Sequence, residues 1–146
     1  MQKRIYALWS PGSKGKTTTG KLIAGELHRL FPAAPVLPDA AALSGGEINI
    51  QIVIGKLKIG ITSQGDPGTG LYQRLEKHAL DGCHIIVCTT RTRGETEEAV
   101  EETERRYGFR AVWFTNYQSG FPGEHAFLNE ASATRLVSLM RAMCGF

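Results

Sequence analysis

Ser10-Pro11-Gly12-Ser13-Lys14-Gly15-Lys16-Thr17 joins two regular patterns in the sequence. An apolar run of strand length, residues 5–9, precedes it, and an amphipathic pattern that ends near Phe31 follows it. Pro32 and Pro35 stop that pattern. The stretch therefore predicts a strand, a loop large enough to hold a phosphate group, and a helix over residues 16–30.

The residue types of the loop suit a polyphosphate ligand. Backbone amides can cradle phosphate oxygens only where no Cβ blocks their approach, as at Gly12 and Gly15. Lys16 would bring a charge to the β- and γ-phosphates, and the Thr17 hydroxyl would be a ligand for Mg²⁺. The positive end of the following helix adds to the attraction. The alternative is a Gly-rich turn that only links a strand to a helix.

This stretch resembles the phosphate-binding loop of the P-loop NTPase superfamily, whose pattern is G-x-x-x-x-G-K-[ST]. Ser10 stands where the pattern has its first glycine, whereas residues 15–17 match it. The resemblance implies that the loop binds ATP, or another nucleoside triphosphate, together with Mg²⁺. The residues that it assigns to the nucleotide are Gly12, Ser13, Lys14, Gly15, Lys16, Thr17 and Thr18.

A narrower likeness concerns residues 12–19 and the apolar positions after them. These are similar to the P-loop ATPases that partition plasmids and place division septa. That branch carries a second lysine where this chain has Pro11, and its members usually run well beyond 146 residues. The likeness covers about twenty residues and introduces an assembly module as an alternative function.

Composition indicates a single globular domain over residues 1–146. The apolar fraction of 42% and the charged fraction of 21% are ordinary for a folded protein. Three cysteines and four histidines show no zinc-ligand spacing, so we expect free buried thiols. No signal-peptide pattern follows Met1 and no apolar stretch approaches membrane-spanning length, so we expect a cytoplasmic protein without membrane contact.

The net charge of +3 is unevenly distributed along the chain. Residues 1–94 carry twelve Lys/Arg and six Asp/Glu, a net of +6, whereas residues 95–146 carry five and eight, a net of −3. A positive first part suits a polyanionic partner such as a nucleotide. Nucleic acid ranks lower, because the chain has no block of clustered Lys/Arg with interleaved aromatic residues.

The rest of the pattern predicts an α/β fold. The further predicted elements are a brief strand at residues 36–38, a β-hairpin over 48–61 with one exposed face, a helix over 69–80 with Arg74 outward, a buried strand at 83–88, a Glu-rich helix over 95–106, a strand at 111–114 and a helix over 124–143. Together they predict a three-layer α/β/α sandwich with a mainly parallel sheet and an inserted β-hairpin.

The metal ligand is predicted from the end of the second hairpin strand. P-loop enzymes place an acidic residue at the end of a strand beside the loop strand, but here Thr62 or Ser63 stands there. Asp66, three residues on, is the predicted metal ligand together with Thr17, or else part of an Asp-Pro-Gly turn. Asp39 is the competing candidate for the metal ligand. The alternative is that Asp39 caps a helical turn at residues 40–43.

Two arginines follow the buried strand at 83–88. Ligands of open α/β sheets bind outside the carboxyl ends of the strands, so Arg91 and Arg93 should lie on the same rim as the loop. With Lys16 they are the predicted catalytic residues, stabilising charge on a transferring phosphoryl group. The alternative is a pair of surface charges balanced by the acidic helix after them.

These observations predict Mg²⁺-dependent binding of a nucleoside triphosphate by a small kinase-like phosphotransferase or NTPase. The alternatives are a nucleotide-sensing or assembly module without significant turnover, and a protein that only binds a phosphate-bearing ligand. A small-molecule acceptor and an oligomer are compatible with the sequence, which specifies neither. In P-loop kinases the loop that corresponds to residues 115–123 often borders the base, so the resemblance implies contacts from Asn116 and from Tyr117 or Phe121. The alternative is that these are ordinary loop residues.

Overall fold

A computed structural model describes residues 1–9, 16–44, 46–63, 70–90 and 94–146. These residues form six strands and four α-helices, with short 3₁₀ turns at Ala40–Ser44 and Pro122–Glu124. In chain order the elements are β1 (Lys3–Trp9), α1 (Lys16–Leu30), β2 (Val36–Leu37), β3 (Asn49–Ile54), β4 (Leu57–Thr62), α2 (Leu71–Leu80), β5 (Ile85–Thr90), α3 (Glu95–Tyr107), β6 (Phe109–Phe114) and α4 (His125–Cys144). The predicted α/β class is confirmed.

The six strands form one mixed sheet in the order β2-β3-β4-β5-β1-β6. The hairpin strand β3 is antiparallel to its hairpin partner β4, as the sequence predicted, and it is also antiparallel to β2. The strands β4, β5, β1 and β6 all run in one direction. Their carboxyl ends therefore lie at one edge of the sheet, which we call the carboxyl edge and define by Trp9, Thr62, Thr90 and Phe114.

Alternate residues of the strands face two separate hydrophobic cores, because successive side chains of a strand point to opposite faces of the sheet. One core contains Tyr6, Ile61 and Val87 from the sheet, Ile23 and Leu27 from α1, and Leu136 and Met140 from α4. The other contains Ala7, Ile86 and Cys88 from the sheet, Leu71 and Leu75 from α2, and Val100 from α3. Helices α1 and α4 thus cover one face, and α2 and α3 cover the other.

The central strand is displaced from its predicted position by two residues. It covers Ile85–Thr90, and all six side chains are buried. Cys83 lies before it, in the turn where its N–H donates to the carbonyl of His78 at 3.0 Å. Thr89 and Thr90, which were expected in a loop, extend the strand because β-branched residues suit a pleated backbone.

Two of the three thiols are buried and free, as expected, whereas Cys144 is free but only partly buried. Cys83 and Cys88 make no disulfide, and burial raises the pKa of each thiol to about 12. Their place in the core beneath α2 accounts for both the burial and the raised pKa.

Helical spacing predicts that the last helix turns residues 128, 131, 136, 139, 140 and 143 inward, but the helix buries a different face. Leu136 and Met140 are inward as expected, but Leu139 and Met143 are 40% and 41% exposed. Ser132, Ala133 and Val137 take the remaining inward positions. Residues 133, 136, 137 and 140 recur at the 3.6-residue helical period, which rotates residues 139 and 143 away from the core.

Helices α2 and α3 are joined by polar contacts. The Glu76 carboxylate accepts hydrogen bonds from the Tyr107 and Tyr72 hydroxyls, at 2.5 and 3.0 Å, and these bonds lower its pKa. The same contact raises the pKa of Tyr107 to about 12. The i,i+4 spacing of charges in α3 predicts the pairs Glu101–Arg105 and Glu102–Arg106. Arg106 lies 3.9 Å from Glu102, whereas Arg105 also pairs with Glu102.

Helix α3 also reaches the outer strand. The N–H of Ala111 in β6 donates to the Glu104 carboxylate at 2.9 Å. In the described sheet β6 pairs with β1 on one side only, so this bond occupies a donor on its outer side. None of the helices in the described ranges is long and apolar enough to cross a membrane.

Candidate functional site

Three predicted site segments begin at the carboxyl edge. Residues 10–15, 64–69 and 91–93 follow β1, β4 and β5, which are adjacent in the sheet. The register aligns Trp9 with Thr90, so β1 and β5 end level with each other. The ends of β4 and β1 are separated by β5 and hence by two strand spacings, about 10 Å.

Most of the predicted site residues themselves lie outside the described residues. These are Gly12, Ser13, Lys14, Gly15, Asp66, Arg91 and Arg93. Helix α1 begins with Lys16 and Thr17, and Thr18 is exposed on its first turn. The described geometry of the site is therefore that of the strand ends and of the helices packed around them.

Helix α1 starts against the end of β4. A Cβ on Gly20 would lie 3.1 Å from the Ser63 Cβ, closer than ordinary contact, so the approach of helix to strand depends on this glycine. Ser63 is itself fixed: its hydroxyl accepts the N–H of Ile48 at 2.7 Å, and its carbonyl accepts the Thr89 hydroxyl at 3.0 Å. The start of α1 therefore rests on a rigid part of the carboxyl edge.

A buried polar contact ties α1 to the segment after β6. Asn116 is 5% exposed, and its amide nitrogen donates to the Thr19 hydroxyl at 2.7 Å and to the Asn129 side-chain oxygen at 3.3 Å. The amide nitrogen of Asn116 thus faces Thr19 and Asn129, and its hydrogen bond to a base stays a prediction. Sequence analysis missed Thr19, for which three consecutive threonines at a helix start were the only signal.

Tyr117, the neighbouring residue, is 44% exposed. Its backbone N–H donates to the Ser132 hydroxyl at 2.9 Å, and its own hydroxyl accepts from Arg135 at 3.0 Å. It lines a cavity of about 290 Å³ between β6 and α4, together with Trp113 and Leu139. An open aromatic groove thus begins at the end of β6, on the same edge as the predicted loop.

The end of β4 carries an arginine in place of an acid. Thr62 is 1% exposed, and its hydroxyl accepts a hydrogen bond from Nε of Arg74 at 2.8 Å. The prediction that Arg74 points outward is wrong: the side chain is half-buried, and burial lowers its pKa. The helical period alone put Arg74 on the outer side, but α2 lies close enough to the strand end for the long side chain to turn back to it.

The side chains at the end of β4 are poor ligands for a magnesium ion. Mg²⁺ prefers carboxylate and other oxygen ligands, whereas here the Thr62 hydroxyl is engaged by a guanidinium and the Ser63 hydroxyl by the backbone of Ile48. Among the described residues, no group of three or more His, Cys, Asp and Glu could hold a metal ion. The described end of β4 therefore does not fit a metal ion.

Asp39 behaves as the helix cap that the sequence offered as its alternative. Its carboxylate accepts the N–H of Ala42 at 3.2 Å, at the start of the 3₁₀ turn Ala40–Ser44. This bond satisfies one of the free donors at a helical N-terminus. Asp39 is exposed and has a structural role in the turn.

Helix α2 is held in register by His78, one turn after Arg74. The imidazole lies on Gly60, its Nε2 donates to the Asn49 side-chain oxygen at 2.8 Å, and its Nδ1 accepts from Gln51 at 3.0 Å. Burial lowers the pKa of His78 to about 4, so the ring is neutral near pH 7. The predicted exposed face of the hairpin is thus covered by α2, and Gln51 is 8% exposed.

Comparison of the chain with protein-family models, curated proteins and solved structures returned no match in any of the three.

Proposed function

We propose that the protein binds a nucleoside triphosphate through residues 12–18 and acts on its terminal phosphate as a small kinase-like phosphotransferase or NTPase. The observation that carries the proposal is the strand order: β4, β5 and β1 are parallel neighbours, and three candidate segments start from their common edge. In open α/β sheets this edge is where ligands bind.

The proposed roles follow from the charges of the residues. Catalysis of phosphoryl transfer is mainly positioning and electrostatic stabilisation. Lys16 would neutralise the β- and γ-phosphates, and Arg91 and Arg93 would face them from the end of β5. ATP brings Mg²⁺ in this proposal, with Thr17 and Asp66 as its protein ligands. The described end of β4 adds none, so we assign the metal no step.

A second candidate function is a nucleotide-sensing or assembly module that binds without significant turnover. The observation that favours it is again the end of β4, where Thr62 and Arg74 stand in place of a metal-holding carboxylate. A protein that binds only a phosphate-bearing ligand is the third alternative. We place all three in the cytoplasm, where nucleotides and phosphorylated metabolites are available.

The test is calorimetry of ATP and GTP binding to the wild type and to Lys16→Ala. Loss of a charged hydrogen bond to phosphate should weaken binding roughly 10- to 100-fold. Lys56→Ala, in the exposed hairpin turn, is the matched control and should bind as the wild type does. Equal affinity of wild type and Lys16→Ala would exclude the site.

A turnover assay separates the candidate functions. A phosphotransferase or NTPase releases or transfers phosphate, with or without a library of small-molecule acceptors. A sensing module shows nucleotide affinity with negligible phosphate release.

A further inference from the structure

We propose that the groove between β6 and α4 binds a small aromatic carboxylate. Arg135 and Ser132 would contact the carboxylate group, and Phe114, Tyr117 and Leu139 would contact the ring. The inference adds a second ligand to the molecule and does not depend on the proposed nucleotide site.

The groove has the size and the surface of a site for a small ligand. Its volume is about 290 Å³, and its lining is mainly apolar, with Val112, Phe114 and Leu136 among the lining residues. Two further lining residues, Tyr117 and Leu139, are 44% and 40% exposed. A cavity of about 150 Å³ is large enough for benzene, so this groove accommodates an aromatic ring system with a polar substituent. Exposed apolar surface that forms a hollow favours such a ligand.

A buried hydroxyl in the lining of the groove has an unused proton. Ser132 is 5% exposed, and its oxygen accepts the N–H of Tyr117 at 2.9 Å. In α3 the Thr103 hydroxyl donates to the carbonyl of Ala99, one turn back, at 2.8 Å. The Ser132 hydroxyl donates to no acceptor within the described part of the chain. Because a buried donor without an acceptor is unfavourable, this position indicates a ligand that brings an oxygen atom.

A positive charge lies beside that hydroxyl. Ser132 and Arg135 are three residues apart on α4, so their side chains are neighbours. Nη1 of Arg135 donates to the Tyr117 hydroxyl at 3.0 Å, and its guanidinium carbon lies 5.5 Å from the centre of the Tyr117 ring. Arg135 forms no ion pair with any carboxylate of the described residues, that of Glu130 on the same helix included. The guanidinium is thus held in place with donors left for an anion.

These two groups specify the chemistry of the ligand. One guanidinium and one hydroxyl can satisfy the two oxygens of a carboxylate, whereas a polyphosphate carries more charge than they balance. The aromatic side chains of the lining favour an aromatic ring, which they contact in offset-stacked or edge-to-face geometry. Ser132 holds Tyr117, and Tyr117 holds Arg135, so the ligand meets groups that are already fixed relative to one another.

The experiment is an NMR titration of the wild type, Arg135→Met and Arg141→Met with indole-3-acetate and with its neutral analogue indole-3-acetamide. Arg141 is the matched control, because it is an arginine of the same helix that lies over another aromatic ring, that of Phe31, at 5.4 Å. We expect the wild type to bind the acid with a Kd on the order of 0.1–1 mM. Arg135→Met should weaken that binding roughly 10-fold and leave binding of the amide unchanged, whereas Arg141→Met should change neither.

Equal affinity of Arg135→Met and Arg141→Met for the acid would overturn the inference, and so would a wild type that binds acid and amide equally or binds the acid with a Kd above about 10 mM. Leu139→Trp tests the groove without changing its charge. The larger side chain should fill the groove and abolish binding, and unchanged affinity would contradict the proposal. Residues 135 and 139 are both exposed, and circular dichroism checks that the variants fold.

Two further measurements separate this inference from the proposed nucleotide site. Lys16→Ala should bind indole-3-acetate as the wild type does, so either proposal can fail while the other stands. ATP should not displace indole-3-acetate from the wild type. If it does, the groove is part of the nucleotide site and the inference of a separate ligand is wrong.

Discussion

Gly60 is the residue at which the sheet allows α2 to come close. A Cβ built there would lie 2.7 Å from both Cγ and Nδ1 of His78, a separation that real contacts do not allow. The imidazole cannot easily move away, because hydrogen bonds to Asn49 and Gln51 hold both of its nitrogens. The absence of one methyl group in β4 thus permits the polar contact between β3 and α2.

Gly60→Ala should therefore destabilise the protein by about 1–3 kcal/mol, as overpacking of a closed site usually does. Gly25→Ala is the matched control, since a Cβ at this exposed position in α1 meets nothing within 4 Å. It should stabilise the helix by roughly 0.5–1 kcal/mol. Urea unfolding followed by circular dichroism measures both. A Gly60→Ala protein as stable as the wild type would show that the His78 side chain can move away from the added methyl group.

At the scale of elements, Asn116 connects two helices to the segment that follows β6. Its amide nitrogen joins Thr19 in α1 to Asn129 in α4, from the segment that follows β6. The bond to Thr19 is buried and the bond to Asn129 is partly buried, and losing a buried donor is unfavourable. The first turn of α1 follows the predicted phosphate loop. Its Thr19 is thus held by the segment after β6.

We expect Asn116→Ala to lower the free energy of unfolding by about 1–3 kcal/mol. Gln118→Ala, an exposed amide two residues along the same segment, should stay within roughly 0.5 kcal/mol of the wild type. The same urea titration compares the two. If the free energy of unfolding falls equally in both variants, the loss comes from changing the segment and not from removing the Asn116 contact.

The elements themselves were largely predictable, and their mutual contacts were not. The bounds of α1 and the hairpin follow from local periodicity, which depends only on neighbouring residues. The burial of Gln51 and the inward turn of Arg74 depend on which helix covers which face, and periodicity carries no such information. For the site, the loop motif was visible in the sequence, but the Thr62–Arg74 contact joins residues twelve positions apart and required the topology.

At the scale of the whole molecule, stability should depend on pH through His78. The pKa of His78 is lowered by burial from 6.5 to about 4, with Asp81 raising it and Lys77 and Arg74 lowering it. The unfolded chain binds a proton below pH 6.5, and the folded protein does so only near pH 4. Stability is therefore full above pH 6.5 and falls as the pH drops toward 4.

The predicted loss over that window is on the order of 3 kcal/mol. Urea unfolding at pH 7 and pH 4.5, for the wild type and His78→Gln, measures it. The variant cannot gain the proton, so its stability should fall less between the two pH values. If stability falls equally in both proteins between the two pH values, other groups, such as the carboxylates, control its pH dependence.

The bond between Glu104 and Ala111 has a consequence for how copies of this protein behave in concentrated solution. A sheet can be extended by any chain whose backbone finds free donors and acceptors along an outer strand, and such templating leads to fibres. On one side the described sheet ends in β2, which is only two residues long. On the other side a carboxylate occupies the N–H of Ala111 in β6 and brings a negative charge to the strand. A second molecule must displace that carboxylate before its backbone can pair with β6. Helix α3 therefore opposes edge-to-edge aggregation.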